Sequence, residues 1–269
     1  MKKTIVILLL VLSQQLGFSQ NCQDSVLFSI HYIASFKNTV EDAKVQTEEK
    51  VLDVMQGHTD FYGRWQRKRE ELTDSILKAG GQFGDVQQAI GVYPRPRQFY
   101  SVLNNYPQKG ERMIMDKLLY PYYSIESTEN INWQLEDNDS VIAEYPCHSA
   151  SCTFRGHKWD VYYTTDIPYS VGPWKLFGLP GAIMYAKDNT GIFVFEAIEV
   201  RNGNKRIYKK PNLQKTKKCT SEEIKKLKVD FYKDPDGFVR RIAGQSVKGY
   251  DAKGKTLLHK AKTALFMED

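Results

Sequence analysis

Alternation of hydrophobic and polar residues is the dominant pattern of this chain. The run Val26 to Lys37, VLFSIHYIASFK, places apolar or aromatic residues at every second position, which is typical of a long strand with one buried face. From Gln98 onward similar short runs follow one another without alternating helices, so the pattern predicts an antiparallel sheet. The predicted strands are Val26–Lys37, Lys50–Gln56, Gln98–Leu103, Arg112–Leu119, Tyr122–Glu126, Trp133–Leu135, Asp139–Tyr145, Ala150–Arg155, Trp159–Thr164, Ala182–Tyr185 and Ile192–Val200.

Two segments have the spacing of helices instead. Trp65, Leu72 and Ile76 recur at helical intervals, which predicts a helix over residues 64–79 that Gly80-Gly81 ends. Thr220 and Glu223 have capping-box spacing and predict a second helix over residues 221–232. Residues 82–97, rich in glycine and proline, are predicted to form an irregular, mobile loop.

These elements predict a mainly β (α+β) fold. A sheet with so many strands and only two helices must curl or pack on itself to bury one face. We therefore expect a large curved antiparallel sheet or half-barrel with two helices.

The first residues have the composition of a signal peptide. Lys2 and Lys3 precede the apolar run Ile5–Leu12, and Gly17 and Ser19 are small residues placed for cleavage. This predicts a signal peptide over residues 1–19 and a single β-rich domain over residues 20–269. We expect an exported protein, periplasmic or associated with the outer membrane. No window of the mature chain is apolar for long enough to predict a transmembrane segment.

The stretch Trp159–Asp188, WDVYYTTDIPYSVGPWKLFGLPGAIMYAKD, organises the rest of the chain. Its glycines and prolines specify the backbone tightly, and the apolar residues between them are too many to leave in water. We expect a buried, rigid, Ω-like loop that closes one end of the sheet.

This stretch resembles the GLPGLI family, secreted proteins of Bacteroidetes-type bacteria with no assigned biochemical function. The best-matched part runs from about Tyr145 to Glu199, and Ala182 departs from the leucine of the family name. The resemblance implies an exported, β-rich protein and no particular reaction. The matching motif residues are Asp166, Ile167, Pro168, Gly172, Pro173, Trp174, Gly178, Leu179, Pro180, Gly181 and Ile183.

Composition and charge exclude some classes of protein. The whole chain has 38 basic and 32 acidic residues, and removal of the leader takes away two lysines, which leaves a net charge near +4. That excess is too small to indicate a nucleic-acid-binding protein. A hydrophobic fraction of 41% supports a substantial core.

Four cysteines in an exported chain favour disulfides and allow three connectivities. The spacing of Cys147 and Cys152 suits a bridge across a tight hairpin turn, which would leave Cys22 to pair with Cys219. Geometry decides between the connectivities.

The same segment allows two chemical alternatives. Cys147, His148, Cys152 and His157 could be metal ligands, although their spacing matches no zinc-site pattern. Cys147 with His157 could also form a nucleophile and base, oriented by Asp160 or Asp166.

We favour a non-enzymatic periplasmic or envelope protein over these alternatives. The tyrosines and tryptophans could line a pocket for an apolar ligand, and an envelope protein is the other partner considered. No phosphate-binding loop or hydrolase motif is present, so we predict no cofactor and assign no catalytic or metal-binding residue.

Overall fold

A computed structural model describes residues 24–244, 249–250, 256–257 and 260–268 of the protein. Most of these residues belong to one open sheet of twelve strands with four helices. In chain order the elements are β1 (Phe28–Phe36), β2 (Gln46–Val54), β3 (Thr59–Gly63), α1 (Arg64–Lys78), α2 (Phe83–Gly91), β4 (Ser101–Asn104), β5 (Glu111–Lys117), β6 (Pro121–Ser127), β7 (Gln134–Ile142), β8 (Tyr145–Phe154), β9 (His157–Thr164), β10 (Ala182–Asp188), β11 (Val194–Asn202), β12 (Lys217–Lys218), α3 (Ser221–Lys233), α4 (Pro235–Ala243), β13 (Gly249–Tyr250) and β14 (Thr256–Leu257).

The twelve-stranded sheet is strongly curved. Its strand order is β12-β6-β5-β4-β3-β2-β1-β11-β10-β9-β8-β7, so β6 and β8 are nine strand spacings apart, about 43 Å in a flat sheet. Yet Arg155, in the turn after β8, places Nη2 3.3 Å from Oε1 of Glu126 in β6. The sheet therefore curls until its two halves meet, and the mainly β fold with a large curved sheet is confirmed.

One face of the sheet, called the inner face below, carries the main hydrophobic core. Leu52, Phe61 and Val102 contribute to this core from one half of the sheet, and Trp159 and Ile183 contribute from the other. Tyr32 of β1 joins the halves by donating its hydroxyl hydrogen to the carbonyl of Ile183, at 2.7 Å. Alternate side chains of the same strands point to the outer face, as the alternation in the sequence predicts.

Helix α1 lies against the outer face. Arg67 of α1 places its guanidinium 3.9 Å from the ring centre of Tyr62 in β3 and 2.9 Å from Asp60 Oδ2. On the inner face, α3 packs beside β6, where its Ile224 joins Tyr122 and Cys219 in a small apolar cluster. The sheet is therefore covered on both faces at this half.

Both predicted helices are confirmed, as α1 and α3. The Thr220 side chain accepts a hydrogen bond from the backbone N–H of Glu223, so the capping box forms as expected. The prediction of an irregular loop over residues 82–97 is wrong in its first half, where α2 forms. Its first turn is stabilised because the backbone N–H of Gln82 donates to Asp85 Oδ2, at 2.7 Å.

Two predicted strands, Trp133–Leu135 and Asp139–Tyr145, form one strand, β7. The expected turn at Glu136-Asp137-Asn138 is instead an irregularity in the register between Glu136 and Asp139. A bulge absorbs extra residues without ending a strand. The following turn falls at Ala143-Glu144, where both residues have positive φ.

This shift overturns the Cys147–Cys152 disulfide. Both cysteines lie in the continuous strand β8, so five residues of extended chain hold them about 16 Å apart, whereas a disulfide needs Cα atoms within about 7 Å. Both are buried free thiols, and Cys219 is buried and forms no disulfide with any described cysteine. Its predicted partner Cys22 and the predicted signal peptide, residues 1–19, lie outside the described residues. No helix in the described ranges has the length and apolar character needed to cross a membrane.

Candidate functional site

The motif loop, residues 165–181, lies over one end of the inner face. Seven of the eleven motif residues are buried, and the exposed ones are Asp166, Pro168, Gly178 and Pro180. The backbone of the loop requires its glycines at two points. A Cβ at Gly181 would overlap the carbonyl oxygen of Thr164, and Gly178 has φ of 103°. The motif therefore specifies a loop conformation, as the sequence predicted, and does not gather reactive groups.

Trp174 is the apolar anchor of this loop. Its ring centre lies 5.6 Å from that of Trp159 and 6.0 Å from that of Phe154. Its φ of 55° is uncommon for a residue other than glycine. The surrounding contacts hold it there, because Asn104 Nδ2 donates to the Trp174 carbonyl at 3.4 Å and Arg112 Nη2 donates to the next carbonyl, of Lys175, at 3.2 Å.

Lys175 carries a charge into the protein interior. Its side chain is 1% exposed, and Nζ lies 3.0 Å from Glu126 Oε1 and 2.6 Å from Glu268 Oε2. Arg112, whose side chain is fully buried, also donates to Glu126 Oε1, at 3.0 Å. These cations hold the pKa of Glu126 below its usual value, against the desolvation that raises it. We call this group, with Arg155, the inner cluster: Arg112, Glu126, Arg155, Lys175 and Glu268.

Arg155 completes the inner cluster from the other half of the sheet. Its guanidinium reaches three carboxylates, those of Glu126, Glu129 and Glu268, at 3.3, 2.5 and 3.2 Å. Without Glu268, the three cations of the inner cluster would face only Glu126 and, outside the cluster, the exposed Glu129. The C-terminal segment thus supplies the charge that balances the cluster.

A cavity of about 640 Å³ opens beside this cluster. It lies between the inner face at β4–β6, the helix α3 and the C-terminal segment 265–268, and we call it the inner cavity. Its apolar walls include Phe99, Val102, Ile114, Phe193, Ile224, Phe231, Leu265, Phe266 and Met267, with Trp174 at the end nearest the motif.

Polar groups stand at separate points of the inner cavity. Lys175, Arg155 and Glu268 lie at one end, and Lys228 pairs with Asp116 on another wall. The hydroxyl of Tyr100 is buried and has no hydrogen-bond partner among the described residues. Burial and the nearby carboxylates of Glu48 and Asp116 raise the pKa of Tyr100, so this hydroxyl remains a proton donor at neutral pH.

The cysteine and histidine alternatives are not supported by the geometry. Phe154 pairs with His157 across the β8–β9 hairpin, so Cys147 is seven residues, or about 23 Å, further along the strand. The thiol of Cys147 is buried, and desolvation raises its pKa to about 11. His157 instead contacts Asp188, with Nδ1 and Oδ2 3.1 Å apart.

The other predicted members of these sites are dispersed as well. Asp160 and Asp166 are exposed, and His148 pairs with Asp139 at the surface. The described part of the chain contains no group of three or more His, Cys, Asp or Glu residues placed to hold a metal ion.

Sequence reasoning missed most of the inner cluster. One signal was present, because a lysine between Trp174 and Leu176 in an apolar run must find a buried counter-charge. Glu126 and Glu268 carried no such signal, since their proximity depends on how far the sheet curls.

Comparison with solved structures finds a likeness of fold. The chain is similar to PNGF-II, with a TM-score of 0.50 and 14% sequence identity over 75% of this chain. PNGF-II in a second space group gives a TM-score of 0.48 and 14% identity over 74% of this chain. The chain spans about one third of the length of PNGF-II, since 33% of that chain is covered. The likeness concerns the fold alone.

No family model and no curated protein matches the chain. The resemblance to the GLPGLI family therefore stays a prediction from the motif residues.

Proposed function

We propose that the protein is an exported, non-enzymatic binding protein of the bacterial envelope that holds an apolar ligand in the inner cavity. The observation that carries this proposal is the cavity itself, whose volume of about 640 Å³ falls in the range of small-molecule sites, about 300–1,000 Å³. Its walls combine apolar and aromatic side chains with placed charged groups, and in such sites the polar groups fix the orientation of the ligand.

The position of the GLPGLI-like motif supports the same proposal. Trp174 of the motif and the adjacent Lys175 line the cavity, and the bonds from Asn104 and Arg112 fix their backbone. A rigid wall preserves the shape of a site when no ligand is bound. The proposed export rests on the predicted signal peptide and on the family resemblance.

A ligand is favoured over an envelope protein as the bound partner. Docking to a protein would require a contiguous exposed apolar patch. Among the described residues, the large exposed apolar side chains are spread over several elements, with Phe83 on α2, Leu135 and Val141 on β7, and Ile198 on β11. Single exposed apolar residues are ordinary features of a surface.

Displacement of a fluorescent apolar dye tests the proposal. Ile114 is half-buried in β5 and lines the cavity, so Ile114→Trp fills the space that a ligand would occupy. We expect the wild-type protein to bind the dye and Ile114→Trp to bind it at least about tenfold more weakly, which corresponds to ~1.4 kcal/mol.

The matched control is Ile198→Trp, which adds the same side chain to an exposed position of β11. This variant should bind the dye like the wild type. Equal dye binding by all three folded proteins would contradict the proposal, because the dye would then bind elsewhere.

A further inference from the structure

The inner cluster has the organisation of a site for an anionic group. Lys175 is almost completely buried, and Arg155 lies beside it, with both side chains contacting the carboxylate of Glu268 at 2.6 and 3.2 Å. Lys225 of α3 adds a third contact, because Nζ lies 3.5 Å from the carbonyl oxygen of Glu268. Three cationic side chains thus converge on one residue at the end of the cavity.

Glu268 is held differently from the rest of this site. The C-terminal segment is fixed by backbone hydrogen bonds as far as Leu265, whose N–H donates to the Asn38 carbonyl at 2.9 Å. The last three described residues are held by side-chain contacts: Phe266 under Lys225, Met267 against the core and Glu268 in the cluster. The Glu268 side chain is still 30% exposed, whereas that of Lys175 is 1% exposed. The Glu268 carboxylate can therefore move into solvent while Lys175 and Arg155 stay in place.

Departure of Glu268 would leave a positive charge without a partner. Arg112, Arg155 and Lys175 would then face only Glu126 and Glu129, and a buried cation without a counter-charge is costly. Any molecule that enters the cavity and displaces the segment is stabilised if it carries its own anionic group. The cavity that would receive its body has apolar walls at Trp174, Ile114 and Ile224, and the unpartnered hydroxyl of Tyr100 lies in the same cavity.

We propose that the inner cavity binds an amphiphile with a carboxylate head and an apolar body, and that Glu268 is an internal competitor for the head-group position. This inference rests on the proposed function and adds the chemical class of the ligand. The head lies between Lys175 and Arg155, and the apolar body lies along Trp174, Ile114 and Ile224. In the absence of ligand Glu268 balances one positive charge of the site, and its exchange for the ligand head leaves the charge balance unchanged.

The test compares two probes with the same chain, dodecanoate and the uncharged dodecan-1-ol, by titration calorimetry on the full mature chain below the critical micelle concentration. If Glu268 occupies the head-group position in most molecules, dodecanoate can bind only to the fraction in which that position is open. Removal of Glu268 then raises the apparent affinity by the inverse of that fraction. We expect Glu268→Gln to bind dodecanoate about tenfold more tightly than the wild type. Its affinity for dodecan-1-ol should stay unchanged.

Two further variants make the test specific. Arg155→Gln removes one cation from the site and should weaken dodecanoate binding while leaving dodecan-1-ol binding unchanged. Glu71→Gln removes the same charge as Glu268→Gln, but from an exposed residue of α1 outside the cavity, so it should match the wild type with both probes. Circular dichroism spectra and midpoints of thermal unfolding confirm that each variant is folded.

The outcomes separate this inference from the proposed function. If Glu268→Gln binds dodecanoate no better than the wild type, or gains equally for both probes, the competitor role is wrong. Equal binding of both probes by every protein would show an apolar cavity without head-group recognition, which overturns the inference and leaves the proposed function standing. Failure of both probes to bind any folded variant overturns both.

Discussion

The two faces of the sheet each bury a network of charges, and the networks differ in what surrounds them. The network on the outer face, called the outer network, is centred on Asp53 and Asp60, which are directly opposite each other on β2 and β3. Asp53 accepts hydrogen bonds from Ser29 and Tyr62, at 2.7 and 3.0 Å. The other members of the outer network are Arg67, Arg206 and Tyr208.

Every partner in the outer network comes from a strand, from α1 or from the segment after β11. Arg206 Nη2 lies 2.5 Å from Asp53 Oδ1, and Arg67 and Tyr208 both donate to Asp60 Oδ2. The inner cluster instead lies on the wall of a cavity and takes one of its carboxylates from the C-terminal segment. Asp53 and Asp60 of the outer network are at most 1% exposed, whereas Glu268 is 30% exposed. On the proposed function, the same ion-pair chemistry serves stability where the carboxylates are sealed and ligand recognition where one carboxylate can be exchanged.

Breaking the outer network should have the largest effect on stability. Asp60 is 1% exposed, so Asp60→Ala leaves Arg67 without its counter-charge and the Tyr208 hydroxyl without its acceptor. We expect a loss of about 3 kcal/mol in the free energy of unfolding, as for other buried pairs that lose one partner. Urea denaturation followed by fluorescence measures it.

Two controls accompany Asp60→Ala. Asp137→Ala removes an exposed aspartate from β7 and should change stability by less than about 0.5 kcal/mol. Glu268→Ala removes the exchangeable carboxylate of the inner cluster. Lys175 keeps Glu126 as a partner and Arg155 keeps Glu126 and Glu129, so the loss should be about 1–2 kcal/mol, smaller than for Asp60→Ala. If Glu268→Ala destabilised the protein as much as Asp60→Ala, the contrast between a sealed and an exchangeable network would be wrong.

Lys175→Met should have a smaller effect on stability and a selective effect on binding. Glu126 would keep Arg112 and Arg155 as partners, so we expect a loss of about 1–2 kcal/mol, less than for Asp60→Ala. The preference for dodecanoate over dodecan-1-ol should disappear, as titration of both probes would show. Lys187→Met, an exposed lysine of β10, is the matched control and should retain that preference. Retention of the preference by Lys175→Met would remove Lys175 from the head-group site.

The sequence predicts the elements of this protein better than their arrangement. Alternation identified β1 and β9 because each strand has one face in the core, and the Thr220–Glu223 capping box located the start of α3. Helix α2 was missed because its glycines were taken as signs of a loop, whereas the Gln82–Asp85 bond stabilises its first turn. A segment is assigned correctly from its sequence only when one local signal, such as alternation or a capping box, is stronger than the competing ones.

The inner cluster shows why the candidate site was harder to predict. Arg155, in the turn after β8, and Glu126 of β6 are joined only because the sheet curls through nine strand spacings, a property that depends on the twist of every strand between them. The Cys147–Cys152 hypothesis failed for a related reason, because the turn falls at Ala143-Glu144 and not between the two cysteines, so both lie in one strand. Register and curvature are global quantities, and spacing along the chain does not determine them.

The smallest expected effect is a difference in the rate at which the buried cysteines are alkylated. It compares the two halves of the sheet. Cys147 and Cys152 lie in β8 within the main core, and burial raises their pKa values to about 11 and about 12. At pH 8 roughly one Cys147 in a thousand is a thiolate. Cys219 belongs to the small cluster with Ile224, which lines the cavity. Native protein treated with iodoacetamide should therefore be labelled first at Cys219.

Peptide mapping by mass spectrometry measures the order of labelling, and protein denatured before alkylation, with and without reduction, is the control. Reduced and denatured protein should be labelled at every cysteine. A Cys219 that resists labelling in denatured, unreduced protein would show the predicted pairing with Cys22. Labelling of Cys147 as fast as Cys219 in the native protein would mean that the β8 half opens as readily as the cavity half. The two halves of the sheet would then not differ in how readily their buried thiols become accessible to the reagent.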